Sequence, residues 1–191
     1  MAKKVNQQYA PFKTTTPKVE FYYNNLSEPD QYSEKYDIGV YADSEDMQPI
    51  INRLVEWQNE CLEKEGLKPE DTLLCLKEEK SKDESTGKYT NPTGRTLIFF
   101  KSADKSKFSV VGPNKKPIDP STVSKGDMGR VNGQAAFGMM KGDPYVTLYL
   151  NAVQLIESGG ANGVDAFDDE TGGEDDAPFN DETNHDDVVL E

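Results

Sequence analysis

Apolar and polar residues alternate along much of this chain with a period of two, and only one stretch carries the period of a helix. Residues 19–23 are short and rich in aromatic and branched side chains, which reads as a strand. Residues 24–33 are turn-rich. In residues 36–42, Tyr36, Ile38 and Val40 share one face and Asp37, Gly39 and Tyr41 the other, giving a second strand. Met47, Ile50, Ile51, Leu54, Val55, Cys61 and Leu62 then fall on one helical stripe, with Trp57 beside it. The spacing predicts a helix over 46–65, capped by Asp43 or Ser44 and ended by Gly66 in the left-handed conformation.

Beyond the helix, residues 72–76 read as a short strand. Residues 77–95 are polar and broken by Gly87, Pro92 and Gly94, so they read as an exposed, mobile loop. Strands follow at 96–101 and 108–111, joined by a Lys-rich turn over 102–107, and then a loop over 113–120. Residues 127–137 form a strand in which Gly129 and Gly133 predict curvature or a bulge. A turn over 138–143 leads to a long final strand at 145–156, with Pro144 at its start, where a missing donor is tolerated. Six or seven short strands, one helix and no βαβ alternation predict a mainly β fold. The expectation is an OB-fold, a five-stranded antiparallel barrel with additional strands. A β-sandwich is the runner-up, and glycines inside long strands favour the barrel, because sharp coiling needs them.

Charge divides the chain further. Residues 164–191 carry twelve Asp or Glu and no Lys or Arg, whereas residues 1–163 hold 23 acidic and 21 basic residues. So charged a stretch, with little to bury, cannot offset the entropy of ordering. The predicted organisation is a flexible basic arm over 1–18, a β domain over 19–158 and a disordered acidic tail over 159–191. Residues 77–141 carry 13 basic against 7 acidic residues, which makes them the place to seek an anion-binding surface. The chain has no apolar run of membrane-spanning length and no apolar leader, so a soluble, intracellular protein is expected. Cys61 and Cys75 read as small buried hydrophobes, and a single histidine, His185, argues against a zinc site.

No phosphate-binding Gly-Lys-Ser/Thr loop, dinucleotide fingerprint or nucleophile elbow is present, and one histidine allows no histidine-based triad. No catalysis, cofactor or metal is expected. The basic middle segment instead interleaves cations with rings, the two requirements for single-stranded nucleic acid binding. On the 96–101 strand, Arg95, Phe99 and Lys101 share the face assigned to the groove, and Phe100 goes to the core. Val146, Leu148 and Leu150 form the apolar set of the last strand, which turns Tyr145 and Tyr149 outward. The candidate groove comprises Arg95, Lys101, Lys105, Lys107, Arg130 and Lys141, with Phe99, Phe137, Tyr145 and Tyr149 as stacking platforms; a bulge would redirect Phe137 outward.

Residues 116–156 resemble the C-terminal half of the tailed-bacteriophage single-stranded DNA-binding proteins. Lys125-Gly126-Asp127 stands where those proteins open a Gly-Asp-centred strand, and Leu148-Tyr149-Leu150-Asn151-Ala152-Val153-Gln154 matches their closing strand. The turn containing Asn24, Leu26, Glu28 and Pro29, the 36–42 strand, the helix and the acidic C-terminus follow in similar order. The resemblance implies an OB-fold that coats single-stranded DNA during phage replication, recombination and repair, in the cytoplasm of an infected bacterial host. It further implies a tail that occupies the groove when DNA is absent and recruits replication proteins such as DNA polymerase and helicase. The tail residues assigned to that role are Asp165, Phe167, Asp168, Asp169, Glu170, Glu174, Asp175, Asp176 and Phe179. Many such tails end on an aromatic residue, whereas this one ends Val188-Val189-Leu190-Glu191 with Phe167 and Phe179 internal. Edge strands and tail exchange each offer a route to a homodimer. Two rival readings are an acidic adaptor or chaperone acting through its tail, and a metal-dependent nuclease.

Overall fold

The computed structural model describes residues 9–159. Its elements are β1 (Phe12–Thr15), β2 (Val19–Asn25), β3 (Tyr36–Tyr41), α1 (Gln48–Lys64), β4 (Lys77–Lys82), β5 (Tyr89–Ser102), β6 (Ser109–Val111), β7 (Met128–Met140) and β8 (Asp143–Glu157). Five of them close on themselves: β2 pairs with β3, β3 with β5, β5 with β8, β8 with β7, and β7 returns to β2. This ring, with β1, β4 and β6 added at its margins, is the expected OB-fold, and its closure decides against a sandwich. It is not wholly antiparallel, because β8 runs parallel to both β5 and β6.

Buried residues alternate along much of β2, β5, β7 and β8, whereas β3 is buried on both faces from Asp37 to Tyr41. Phe21, Ile38, Val40, Ile98, Phe100, Val131, Phe137, Leu148 and Val153 are all essentially inaccessible and make one core. The expected glycine irregularities are present. Register slips fall between Met128 and Gly129 and between Asn132 and Gly133. Opposite the second slip Asn151 is the extra residue, since Asn132 pairs with Ala152 and Gly133 with Leu150. That bulge divides β8: the part before it meets β5 at Leu148 and Tyr149, and the part after it meets β6 at Ala152 to Gln154.

α1 packs against β1 and β7 and buries Ile51, Leu54, Cys61 and Leu62, as its stripe predicts. It ends in a Schellman motif: Leu67 N–H donates to Leu62 O at 2.9 Å, Gly66 N–H donates to Glu63 O at 3.0 Å, and Gly66 has φ +72°. Its start differs from expectation. Neither Asp43 nor Ser44 caps it with a side chain; the helix begins after Met47 with Pro49 in its first turn, following a turn in which Met47 N–H donates to Ser44 O.

Three further expectations are corrected. Residues 72–76 are a docked turn rather than a strand. The buried amide of Gln58 holds it, donating to Thr72 O at 3.0 Å and accepting from Leu74 N–H at 2.8 Å. Residues 77–95 are not a loop but the β4–β5 hairpin, exposed on both faces and hence without apolar period. Within the arm expected at 1–18, Phe12–Thr15 is a strand on β7, tied by Val131 N–H donating to Thr16 Oγ1 at 2.9 Å and by Asn132 Nδ2 donating to Thr15 Oγ1 at 2.8 Å. Threonine suits such a pleated, half-buried position. The turn between β7 and β8 is also tighter than expected, confined to Lys141 and Gly142, both with positive φ. The acidic tail and its assigned residues lie outside the described residues.

Candidate nucleic-acid interface

The outer face of β5 carries Arg95, Phe99 and Lys101, as alternation requires, and Phe100 is buried in the core. Phe99 faces Gly39 on β3. A Cβ at Gly39 would lie 2.7 Å from the Phe99 ring, so the ring lies across the glycine. Tyr145 repeats the device on the other hairpin, its ring covering Gly138, its register partner on β7. A ring laid flat on a strand offers a face, the geometry a stacked base needs. Lys77 on β4 places its ammonium 5.0 Å from the Phe99 centroid.

Beside Phe99 a recess of about 480 Å³ opens where β5 and β8 part below their parallel pairing. Lys35, Lys77 and Lys101 supply its cations, Phe99 its ring, and Val146 to Leu148 its far wall. Cys75 also borders it, and burial pushes that thiol up to about 12, so it stays protonated and uncharged. Lys101 lies 3.9 Å from the Asp37 carboxylate and is the register partner of Tyr149. Burial raises the Asp37 pKa, and the Asn25 amide, donating at 3.0 Å, favours the anion and opposes that shift. The next residues along this row are Gln134 on β7 and Lys13 on β1. Phe99, Lys101, Tyr149, Gln134 and Lys13 thus form a polar and aromatic band across four strands.

Arg95 sits differently. Its guanidinium lies 3.2 Å from the Tyr41 centroid, with Asp43 at 3.5 Å and Glu20 at 3.9 Å. These half-exposed ion pairs contribute little to stability, but they mean a phosphate would compete with two carboxylates for Arg95. Burial, and donation to Glu79 at 3.1 Å, push the Tyr41 hydroxyl up to about 12. Tyr41 is 6% exposed, so it supports Arg95 rather than offering a stacking face. The cationic centre of the face is therefore the lysine-lined recess rather than Arg95.

The remaining expected residues scatter. Lys141 sits at the β7–β8 turn near Tyr145. Lys105 and Lys107 lie in a 3₁₀ turn after β5, where the Lys105 ammonium donates to Ser27 O at 3.0 Å and ties down the β2–β3 loop. Arg130 pairs with Gln154 beyond the Asn151 bulge, alongside β6 rather than Phe99. Phe137 is corrected outright. The bulge falls at Asn132 and Gly133, too early to redirect it, and it is 1% exposed with the Tyr9 ring edge-on at 5.1 Å.

Sequence reasoning missed Tyr22, Lys35, Lys77 and Lys125. Tyr22 stands edge-on to Tyr41 at 5.6 Å and to Phe99 at 6.4 Å, with the Lys125 ammonium 5.0 Å from its centroid. The Lys125-Gly126-Asp127 segment holds that lysine in place. Gly126 has φ +88° and donates to Phe21 O at 2.8 Å, while the buried Asp127 carboxylate accepts from Ser124 N–H at 2.7 Å and Gly159 N–H at 2.8 Å. A glycine in mid-strand at position 39 is the signal that could have found this cluster, since such a gap marks a neighbour's close approach. Among the described residues, no group of three or more His, Cys, Asp or Glu is placed to hold a metal ion.

No protein-family model matches the chain, and no curated protein sequence does. Solved structures do match. The single-stranded DNA-binding protein of bacteriophage Enc34, in complex with single-stranded DNA, superposes with a TM-score of 0.56 at 14% identity, over 80% of this chain and 97% of that one. The single-stranded DNA-binding protein gp2.5 encoded by bacteriophage T7 gives 0.52 at 19% identity, over 86% and 98%. Across nearly the whole length of both, this chain has the fold of phage OB-fold single-stranded DNA-binding proteins.

Proposed function

We propose that the protein binds single-stranded DNA without sequence preference and without catalysis. The observation that carries this reading is the Phe99 platform on Gly39, flanked by Tyr22 and by Lys35, Lys77, Lys101 and Lys125. Each stacked base contributes about 1–3 kcal/mol irrespective of its identity, and the lysines hold phosphates by releasing counterions. The fold shared with the Enc34 protein, solved with single-stranded DNA, supports the same reading. We place its action in phage replication, recombination and repair, in the cytoplasm of an infected bacterial host.

The acidic tail is the DNA backbone's competitor in this proposal, and once displaced it recruits replication proteins such as DNA polymerase and helicase. One feature of the described residues supports it: Gly159, the last of them, is held by Asp127, two residues from Lys125, whose ammonium borders Tyr22. Titration of the full chain and of residues 1–163 with single- and double-stranded oligonucleotides at two salt concentrations tests both parts. Salt-sensitive binding of oligo-dT supports the function, and tighter binding on truncation, most at low salt, supports the competition. A truncated body that ignores oligo-dT would favour the adaptor reading, and unchanged affinity on truncation would remove the competition.

A further inference from the structure

The outer part of the β4–β5 hairpin is exposed on both faces. An isolated two-stranded ribbon is marginal in water, so this one depends on its root for its direction. Glu79 fixes that root from both sides, its carboxylate accepting from the Tyr41 hydroxyl at 3.1 Å and the Thr93 hydroxyl at 2.6 Å. Above it the ribbon bends. Register slips fall between Glu78 and Lys80 and between Ser81 and Lys82, with Gly94 at φ +82°, and such bulges bend and twist a ribbon. As a result Tyr89 and Lys80 line a single recess of about 220 Å³ with Tyr22, Lys77 and Phe99. Tyr89 remains 66% exposed, and its register partner is Lys82.

We propose that this ribbon is the second wall of the interface, holding an unpaired base between Tyr89 on one side and the Tyr22–Phe99 surface on the other, and that it thereby selects single-stranded over double-stranded DNA. The inference rests on the DNA-binding reading above and adds to it a source of strand selectivity. A base in a single strand can present both of its faces, so two walls can hold it. A base in a duplex is covered on both faces by its neighbours and along one edge by its partner, and cannot enter without being extruded. Lys80 and Lys82 lie on the same ribbon for the flanking phosphates.

The test uses the full chain and three forms: wild type, Tyr89→Ala and Tyr89→Phe, each titrated with oligo-dT and with a duplex of equal length. Tyr89 is exposed, so folding is not at stake, and an unshifted melting temperature verifies this. Tyr89→Ala is expected to weaken oligo-dT binding about tenfold while duplex affinity holds or rises, and Tyr89→Phe is expected to retain wild-type values. Oligo-dT affinity unchanged in Tyr89→Ala, or equal losses on both substrates, overturns the second wall but leaves the general function standing. A wild-type protein that does not bind oligo-dT overturns both.

Discussion

The β7–β8 and β4–β5 hairpins share an antiparallel ladder and little else. Buried residues alternate over Gly129–Phe137 of β7 and Val146–Leu150 of β8, and the pair supplies Val131, Phe137, Leu148 and Val153 to the core. Along β4 and the first half of β5 almost every residue is exposed, and the ladder is supported by Glu79 at its root and a carboxylate-centred turn at its tip. The first hairpin is held largely by burial, the outer part of the second by polar contacts. The contrast teaches that pairing and packing are separable here: one ribbon builds the scaffold, and the outer part of the other stands outside it.

The largest blow to the first hairpin is Phe137→Ala. Removing a fully buried ring costs about 3–5 kcal/mol, which chemical denaturation reads directly, while oligo-dT affinity per folded molecule is expected to hold. A wild-type denaturation midpoint together with lost DNA binding would restore Phe137 as a platform and break the comparison. Gly133→Ala is next. Its new methyl would collide with the Tyr149 carbonyl oxygen and approach within 2.6 Å of the Phe100 ring, and such overpacking costs about 1–3 kcal/mol in the same measurement.

The smallest effect is local and belongs to the second hairpin. The Asp83 carboxylate accepts from Ser85 Oγ, Ser85 N–H and Thr86 N–H, and these bonds, the Ser85 hydroxyl foremost, lower its pKa. A depressed folded pKa means the turn is fully supported above the ordinary carboxylate value and loosens as pH falls through the lowered one. Asp83→Ala at neutral pH is expected to speed amide exchange at residues 83–88 and leave β7 and β8 unchanged. Equal acceleration in both hairpins would show that they are one cooperative unit.

What the chain disclosed in advance follows the same division. Period-two burial made β7 and β8 legible to within a few residues, and period-3.6 burial did the same for α1. Lys77–Lys82 buries no face, so no periodicity could announce it, and Phe12–Thr15 hid because the residue it buries, Thr14, is polar. Residues 72–76 looked like a strand because Leu73 and Leu74 are apolar, yet what orders them is one distant amide, Gln58, which no local pattern reveals. At the interface, alternation separated Phe99 from Phe100 correctly. It could not place Phe137, whose fate depended on where the bulge fell, nor bring Tyr22 to Phe99 and Lys125 to Tyr22 from segments far apart in sequence.

The parallel seam between β5 and β8 has a kinetic consequence. Only Phe100 with Leu148 and Lys101 with Tyr149 join these strands, and the contact spans the whole of β6 and β7. Hairpins form in microseconds from local contacts, whereas this joint must wait for a long loop to be closed. Ring closure, which also needs the still longer-range pairing of Val19 with Gly129 between β2 and β7, is therefore expected after the hairpins. Until it occurs, the edges of β5 and β8 lie open to strands of other chains, so the hazard of misassembly falls on the interval before the ring closes.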